Sequence, residues 1–143
     1  MSIENEVKII KDNYPKTVLF VKIGAFYHTY SRDAYIISYL FGYQLKKSQN
    51  LNNCGFTATI LDNIIKRMET EKISYIIANN KFEIESQKDF EQENNYDEIY
   101  NNSYKYLLKK NKIDEINRYL IENINAKDII DKINDIEKII YQF

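Results

Sequence analysis

Few side chains in this 143-residue chain can do bond-making chemistry, and their spacing does not support it. There is one histidine, His28, and one cysteine, Cys54. Asp33 and Asp62 complete the acid–base candidates around His28. Neither has a second carboxylate at metal-binding spacing, so acid–base and metal-assisted catalysis both lack a constellation. One Cys and one His cannot supply a Cys/His zinc set, and a lone Cys excludes an intramolecular disulfide. Cys54 precedes a glycine in an apolar setting and reads as a space-filling thiol. The expectation is no enzyme, no metal and no cofactor. What remains is stacking. An apolar run from Thr17 to Ile23 leads through Gly24 and Ala25 to Phe26 and Tyr27. One reading of this pair is a ring presented on a tight turn for stacking. The other reading of the same pair is that Phe26 or Tyr27 packs in the core.

The elements that must position these residues follow from the apolar spacing. At 44% hydrophobic and 29% charged, with only three glycines and one proline, the chain is globular and should be built of long, little-interrupted elements. Residues 3 to 13 carry Ile3, Val7 and Ile10 on one face, a helix stopped by Asn13 and Pro15. Thr17 to Ile23 is β-branched and apolar apart from Lys22, a central strand. Ser31 can cap a helix from Arg32 that turns Ala34, Ile37, Ser38 and Phe41 inwards and ends at Gly42. Asp33 would sit in its first turn and favour the macrodipole. Tyr43 to Lys46 reads as a second strand and Ser48 to Asn53 as a polar loop. Cys54 to Thr57 leads into a helix from about Thr59 to Glu71 with Ile60, Ile64 and Met68 on one face. Ile73 to Ala78 is a further strand. Alternating strands and helices predict an α/β fold, a mixed sheet flanked by helices.

Residues 81 to 98 hold seven acids against two lysines, a composition that suits a linker or surface excursion. Beyond them come three apolar stripes: Tyr100, Tyr104 and Leu107 or Leu108; Ile113, Ile116, Leu120 and Ile124; Ile129, Ile133, Ile136 and Ile140. Each reads as one face of an amphipathic helix. The break at Asn125 to Lys127 makes the last two an antiparallel hairpin. The division is therefore a domain over residues 1–80, an acidic linker over 81–95 and a helical appendage over 96–143. These stripes can cover one another and the sheet, or present a face to a protein partner or a second copy. Ile139, Ile140, Tyr141 and Phe143 would leave apolar surface at the terminus.

Residues 1–80 carry ten basic and seven acidic side chains, residues 81–143 ten and fourteen, so any nucleic-acid surface belongs in the first part. No apolar run approaches the roughly 20 residues that span a bilayer, and Glu4 and Glu6 stand where a secretory signal would be positive. A cytoplasmic protein with no membrane contact is expected.

Five landmarks, in order and with matching spacing, resemble the mismatch-recognition domain that opens the DNA mismatch repair protein MutS. They are Tyr14-Pro15, Gly24-Ala25-Phe26-Tyr27, Asp33-Ala34, Gly42 to Lys47, and Cys54-Gly55-Phe56. The resemblance covers about residues 7 to 80. It implies the fold of that domain and a non-catalytic nucleic-acid-binding module. In that family a phenylalanine wedges against the mispaired base and a glutamate hydrogen-bonds to it; Phe26 matches the phenylalanine, but His28 stands where the glutamate would be. Ala25, Thr57 and Thr59 also depart from the family's aspartate, proline and histidine. Some eukaryotic relatives lack the Phe/Glu pair and contact DNA without reading the mismatch.

Neutral His28 can donate or accept a hydrogen bond, and once protonated, towards about pH 6.5, it would attract phosphate; a surface histidine without a role is the other reading. Lys22, Arg32, Lys46 and Lys47 are the candidate phosphate contacts. All four engaged would give a log–log salt slope of about −3.6, and ordinary solvated lysines are the alternative. The implied partner is double-stranded DNA, held weakly because nothing after residue 80 looks like the parts of MutS that encircle the duplex. No G-x-x-x-x-G-K-[ST] phosphate loop is present either. The rival expectation is a protein-interaction adaptor, associated with repair or a mobile element, that kept the fold and lost mismatch reading.

Overall fold

A computed structural model describes residues 2–48 and 51–142. It divides into two compact units, Met1–Leu107 and Leu108–Phe143. The first unit is built on the apolar run predicted to be central. That run forms β1 (Val18–Ile23), and the first four of its side chains are buried. Gly24, in the left-handed region at φ +63°, turns the chain within two residues into β2 (Phe26–Tyr30). This second strand is not anticipated by the sequence reading, which leaves the segment as a turn. β1 pairs antiparallel with β2 and parallel with β5 (Tyr75–Ala78), so it has strands on both sides.

Among the described residues the sheet has six strands, in the order β3-β4-β2-β1-β5-β6, and is mixed, as expected. β3 is Lys46–Ser48 and β4 is Leu51–Thr57. Two expectations are corrected here. Tyr43 to Leu45 lie outside any strand, because Gly42 closes the preceding helix at φ +74° and the Ser38 hydroxyl donates to the Tyr43 carbonyl, which fixes this stretch as a helix exit. Leu51 to Asn53, expected in a polar loop, are strand, because Asn53 pairs with both Tyr30 and Lys46. Gln49 and Asn50 of that expected loop lie outside the described residues.

Helices cover both faces. α1 (Ile3–Asn13) turns Val7 and Ile10 onto Leu19, Val21, Tyr30, Ile76 and Ala78. On the other face α2 (Arg32–Phe41) and α3 (Leu61–Glu71) bury Ile36, Ile37, Ile64 and Met68 against Phe20, Tyr27 and Phe56. A 3-10 turn at Ala58–Ile60 precedes α3. Ser31 starts α2 as expected but does not cap it: at φ +56° it turns the chain out of β2, and its hydroxyl makes no capping bond.

Asp33 lies in the first turn of α2 but is not a solvated partner of the helix dipole. It is buried, and three donors converge on it: the Leu19 N–H at 2.9 Å, the Lys11 ammonium at 3.0 Å and the Tyr96 hydroxyl at 2.6 Å. Burial pushes this carboxyl above the ordinary range, while Lys11, Tyr96 and Leu19 pull it back.

Residues 81–95, read from sequence as an acidic linker, contain β6 (Ile84–Lys88), which pairs with β5, and a 3-10 turn at Glu91–Glu93. All five β6 side chains are exposed on an outer strand, and only Glu85 among them is acidic; the other acids of the segment flank the strand. α4 (Tyr96–Glu122) joins the first two predicted helical stripes into one helix, since no glycine or proline separates them. Within the second unit, the later part of α4 and α5 (Ile129–Ile140) pack side by side, and the Lys132 ammonium donates to the Tyr119 hydroxyl at 2.5 Å. Phe143, expected to add apolar surface there, lies outside the described residues.

Candidate nucleic-acid interface

Side chains alternate across a strand, so Phe26, His28 and Tyr30 line one face of β2 while Tyr27 and Thr29 enter the core. The three rings form a row, with centroids 6.4 Å apart at each step. α1 covers the Tyr30 end; the Phe26 end is open, and the Phe26 ring is 47% exposed. The tip carrying it is pinned: the Ala58 N–H donates to the Ala25 carbonyl at 2.9 Å, while Phe26 pairs with Ile23 on one side and Thr57 on the other. An exposed ring on a fixed backbone is the arrangement that base stacking needs, because little ordering remains to be done on binding.

The His28 ring lies over Gly55, its register partner on β4. A Cβ at Gly55 would come within 2.9 Å of the imidazole, so the missing side chain is what lets the ring settle onto the sheet. Burial holds the imidazole below the ordinary histidine range, and the Lys46 ammonium pushes the same way. Protonation near pH 6.5 is therefore not what this environment favours; His28 meets a ligand at neutral pH as an uncharged donor and acceptor. A histidine depressed from 6.5 stabilises the fold above that pH, and the contribution is lost as pH falls through the folded value. Thermal melts from neutral to mildly acid pH should show a loss in the wild type that His28→Gln lacks. Parallel curves for the two proteins would remove His28 as its source.

Of the four predicted basic contacts, Lys46 joins this surface. It faces Asn53 across the β3–β4 ladder, and with Phe26, His28, Tyr43, Gln44 and Gly55 these two residues line a depression of about 470 Å³. Lys47 follows on the same outer strand; its register partner is Asn52, so it alternates to the other side of the strand, and it reaches the site only at the border of a second depression, beside Ile23 and His28. Lys22 adjoins Ile23, the partner of Phe26, but it is in register with Tyr27 and so belongs to the opposite face. Arg32 lies beyond the far end of β2, where its guanidinium stacks over Tyr100 at 4.2 Å. The site thus gathers Phe26, His28 and Lys46, with Lys47 at its border, and leaves out the other two.

Sequence reasoning missed Asn53, Gly55, Gln44 and Tyr43. The i, i+2 spacing of Phe26, His28 and Tyr30 was the available signal for a ring row; the lining from β4 needed the register. Cys54 is buried on the core side, and desolvation pushes its thiol up to about 11, the state of an inert core cysteine. Among the described residues no group of acids, His and Cys could hold a metal ion, and no helix is long and apolar enough to cross a membrane.

No curated protein matches the chain. A family model of MutS domain I matches residues 2–101. The match runs past the sequence landmarks to take in α1, β6 and the start of α4. Seventy per cent of the chain thus carries the pattern of a non-catalytic domain whose family binds mismatched DNA, and the chain belongs to the MutS domain I family.

Proposed function

We propose that this protein binds double-stranded DNA without catalysis, that Phe26 stacks on a distorted base step, and that Lys46 and Lys47 hold the adjoining backbone. The observation that carries this reading is the open Phe26 ring on a pinned hairpin tip, on the same face as His28 and Lys46. His28, where the family has glutamate, brings no negative charge to the base, so selectivity rests on how readily the step unstacks. A reducing, cytoplasmic setting suits the single buried thiol.

Two lysines instead of four lower the expected log–log salt slope to about −1.8. The test is fluorescence anisotropy with mismatched, bulged and fully paired duplexes. Mismatched DNA should bind more tightly than paired DNA. Phe26→Ala should weaken the mismatched complex roughly 5- to 150-fold, the equivalent of about 1–3 kcal/mol of base stacking, and leave the paired one unchanged. The adaptor reading has its own observation in its favour, the isoleucines left uncovered on α4 and α5. Undetectable binding to every duplex would decide for it.

A further inference from the structure

The second unit has almost no interior. Of its described residues only Ile129 is buried. Ile113, Ile116 and Ile124 share one stripe of α4 and its exit, and they are 58%, 53% and 60% exposed. The facing stripe of α5 does little better, with Ile133 and Ile136 partly covered and Ile140 53% exposed. Between the two helices lies a groove of about 430 Å³ floored by Ile116, Tyr119, Leu120 and Ile136. Two short helices alone cannot close a core; four can.

We propose that this helical hairpin pairs with the same hairpin of a second copy in an antiparallel, two-fold symmetric four-helix bundle. Charge favours a like partner. Residues 108–143 hold seven basic and seven acidic side chains, so two copies carry no net repulsion and the face has no bias towards nucleic acid or anionic lipid. The distribution along the hairpin sets the direction. Lys109, Lys110 and Lys112 precede any acid at its start, while Glu122, Asp128 and Asp131 outnumber Lys127 and Lys132 at its turn. An antiparallel pair sets each basic start beside the partner's acidic turn, whereas a parallel pair sets like beside like.

Size agrees with this. The α4 segment from Leu108 to Glu122 is about 22 Å long, and two adjacent helices are about 20 Å wide. A face of those dimensions is in projection roughly half the ~800 Å² per partner of a standard interface, a size that suits a dimer in exchange with its monomer. The pairing would also put two Phe26 tips on one particle, but it stands or falls independently of DNA binding.

Sedimentation equilibrium of the whole chain at micromolar concentrations tests it. A mass of twice 17.1 kDa is expected, falling to the single-chain value on dilution. The Ile116→Glu/Ile124→Glu double variant should stay monomeric at the highest concentration. Ile121→Glu, at a residue 68% exposed but off the stripe, should leave the dimer intact. Far-UV circular dichroism shows whether each variant keeps its helices, and the milder Ile113→Gln, expected to weaken the dimer several-fold, stands in should the double variant unfold. A wild-type monomer at every concentration overturns the proposal and leaves the face to a different protein. A dimer that only Ile121→Glu disrupts overturns the stripe.

Discussion

Asp33→Ala is expected to destabilise the first unit by about 3–5 kcal/mol, out of the ~5–15 kcal/mol that holds a typical domain together. The size follows from what the carboxylate joins. Its oxygens take the Leu19 N–H of β1, the Lys11 ammonium of α1 and the Tyr96 hydroxyl of α4, while its own backbone starts α2. Truncation strands the Leu19 N–H and the Tyr96 hydroxyl and leaves the Lys11 ammonium only the Thr17 carbonyl, in a place with little access to water, and a donor left unsatisfied costs more than a hydrogen bond gains. Tyr96→Phe removes a single donor and should cost about 1 kcal/mol. Urea denaturation of the three proteins checks the ordering. Equal midpoints for Asp33→Ala and wild type would mean that the cluster contributes nothing net.

Lys11→Met should cost nearly as much at neutral pH, about 3–5 kcal/mol, and unlike Asp33→Ala it should recover on acidification. Methionine keeps most of the lysine stem and removes the charge, so Asp33 is left buried as an anion with two neutral donors. Burial already raises this carboxyl above 3.8, with the Lys11 charge as the strongest influence opposing the shift. Between 3.8 and the folded pKa the native state keeps a proton that the unfolded chain has released. Stability therefore falls as pH rises through that window and returns as pH falls. Removing Lys11 pushes the upper edge of the window higher. The urea midpoint of Lys11→Met should lie well below that of the wild type at pH 7, and the gap should narrow towards pH 4. A gap of constant width would assign the loss to packing of the lysine stem.

The parts of this molecule legible in the sequence are those where burial is complete or periodic. β1 shows itself because Val18 to Val21 are all buried, and α3 because Ile64 and Met68 recur on one face. β2 is hidden for the opposite reason: Tyr27 and Thr29 enter the core on one face, while Phe26, His28 and Tyr30 line the other, where only Tyr30 is buried, under α1, so neither a continuous run nor a clean alternation of burial appears. β6 buries no side chain at all, and its place in the sheet rests on backbone pairing that composition cannot reveal. The site divides along the same line. Phe26 and His28 follow from a local turn. The exclusion of Lys22 is a matter of strand parity, and the exclusion of Arg32 depends on a tyrosine 68 positions away. The Asp33 cluster draws on residues 11, 19 and 96, which no local spacing connects.

The sheet is open at both ends, with β3 and β6 as its outer strands. An outer strand presents a row of unpaired N–H and C=O groups, a template on which another chain can add, and charged side chains are a common safeguard. On β3 that safeguard is Lys46 and Lys47, the same two residues proposed to grip phosphate. Neutralising them would remove the proposed DNA contact and unprotect the strand edge in one step, so apparent loss of binding in an alanine variant can come from self-assembly of the protein. Glutamate at the same positions keeps the edge charged while repelling phosphate, and thereby separates the two effects.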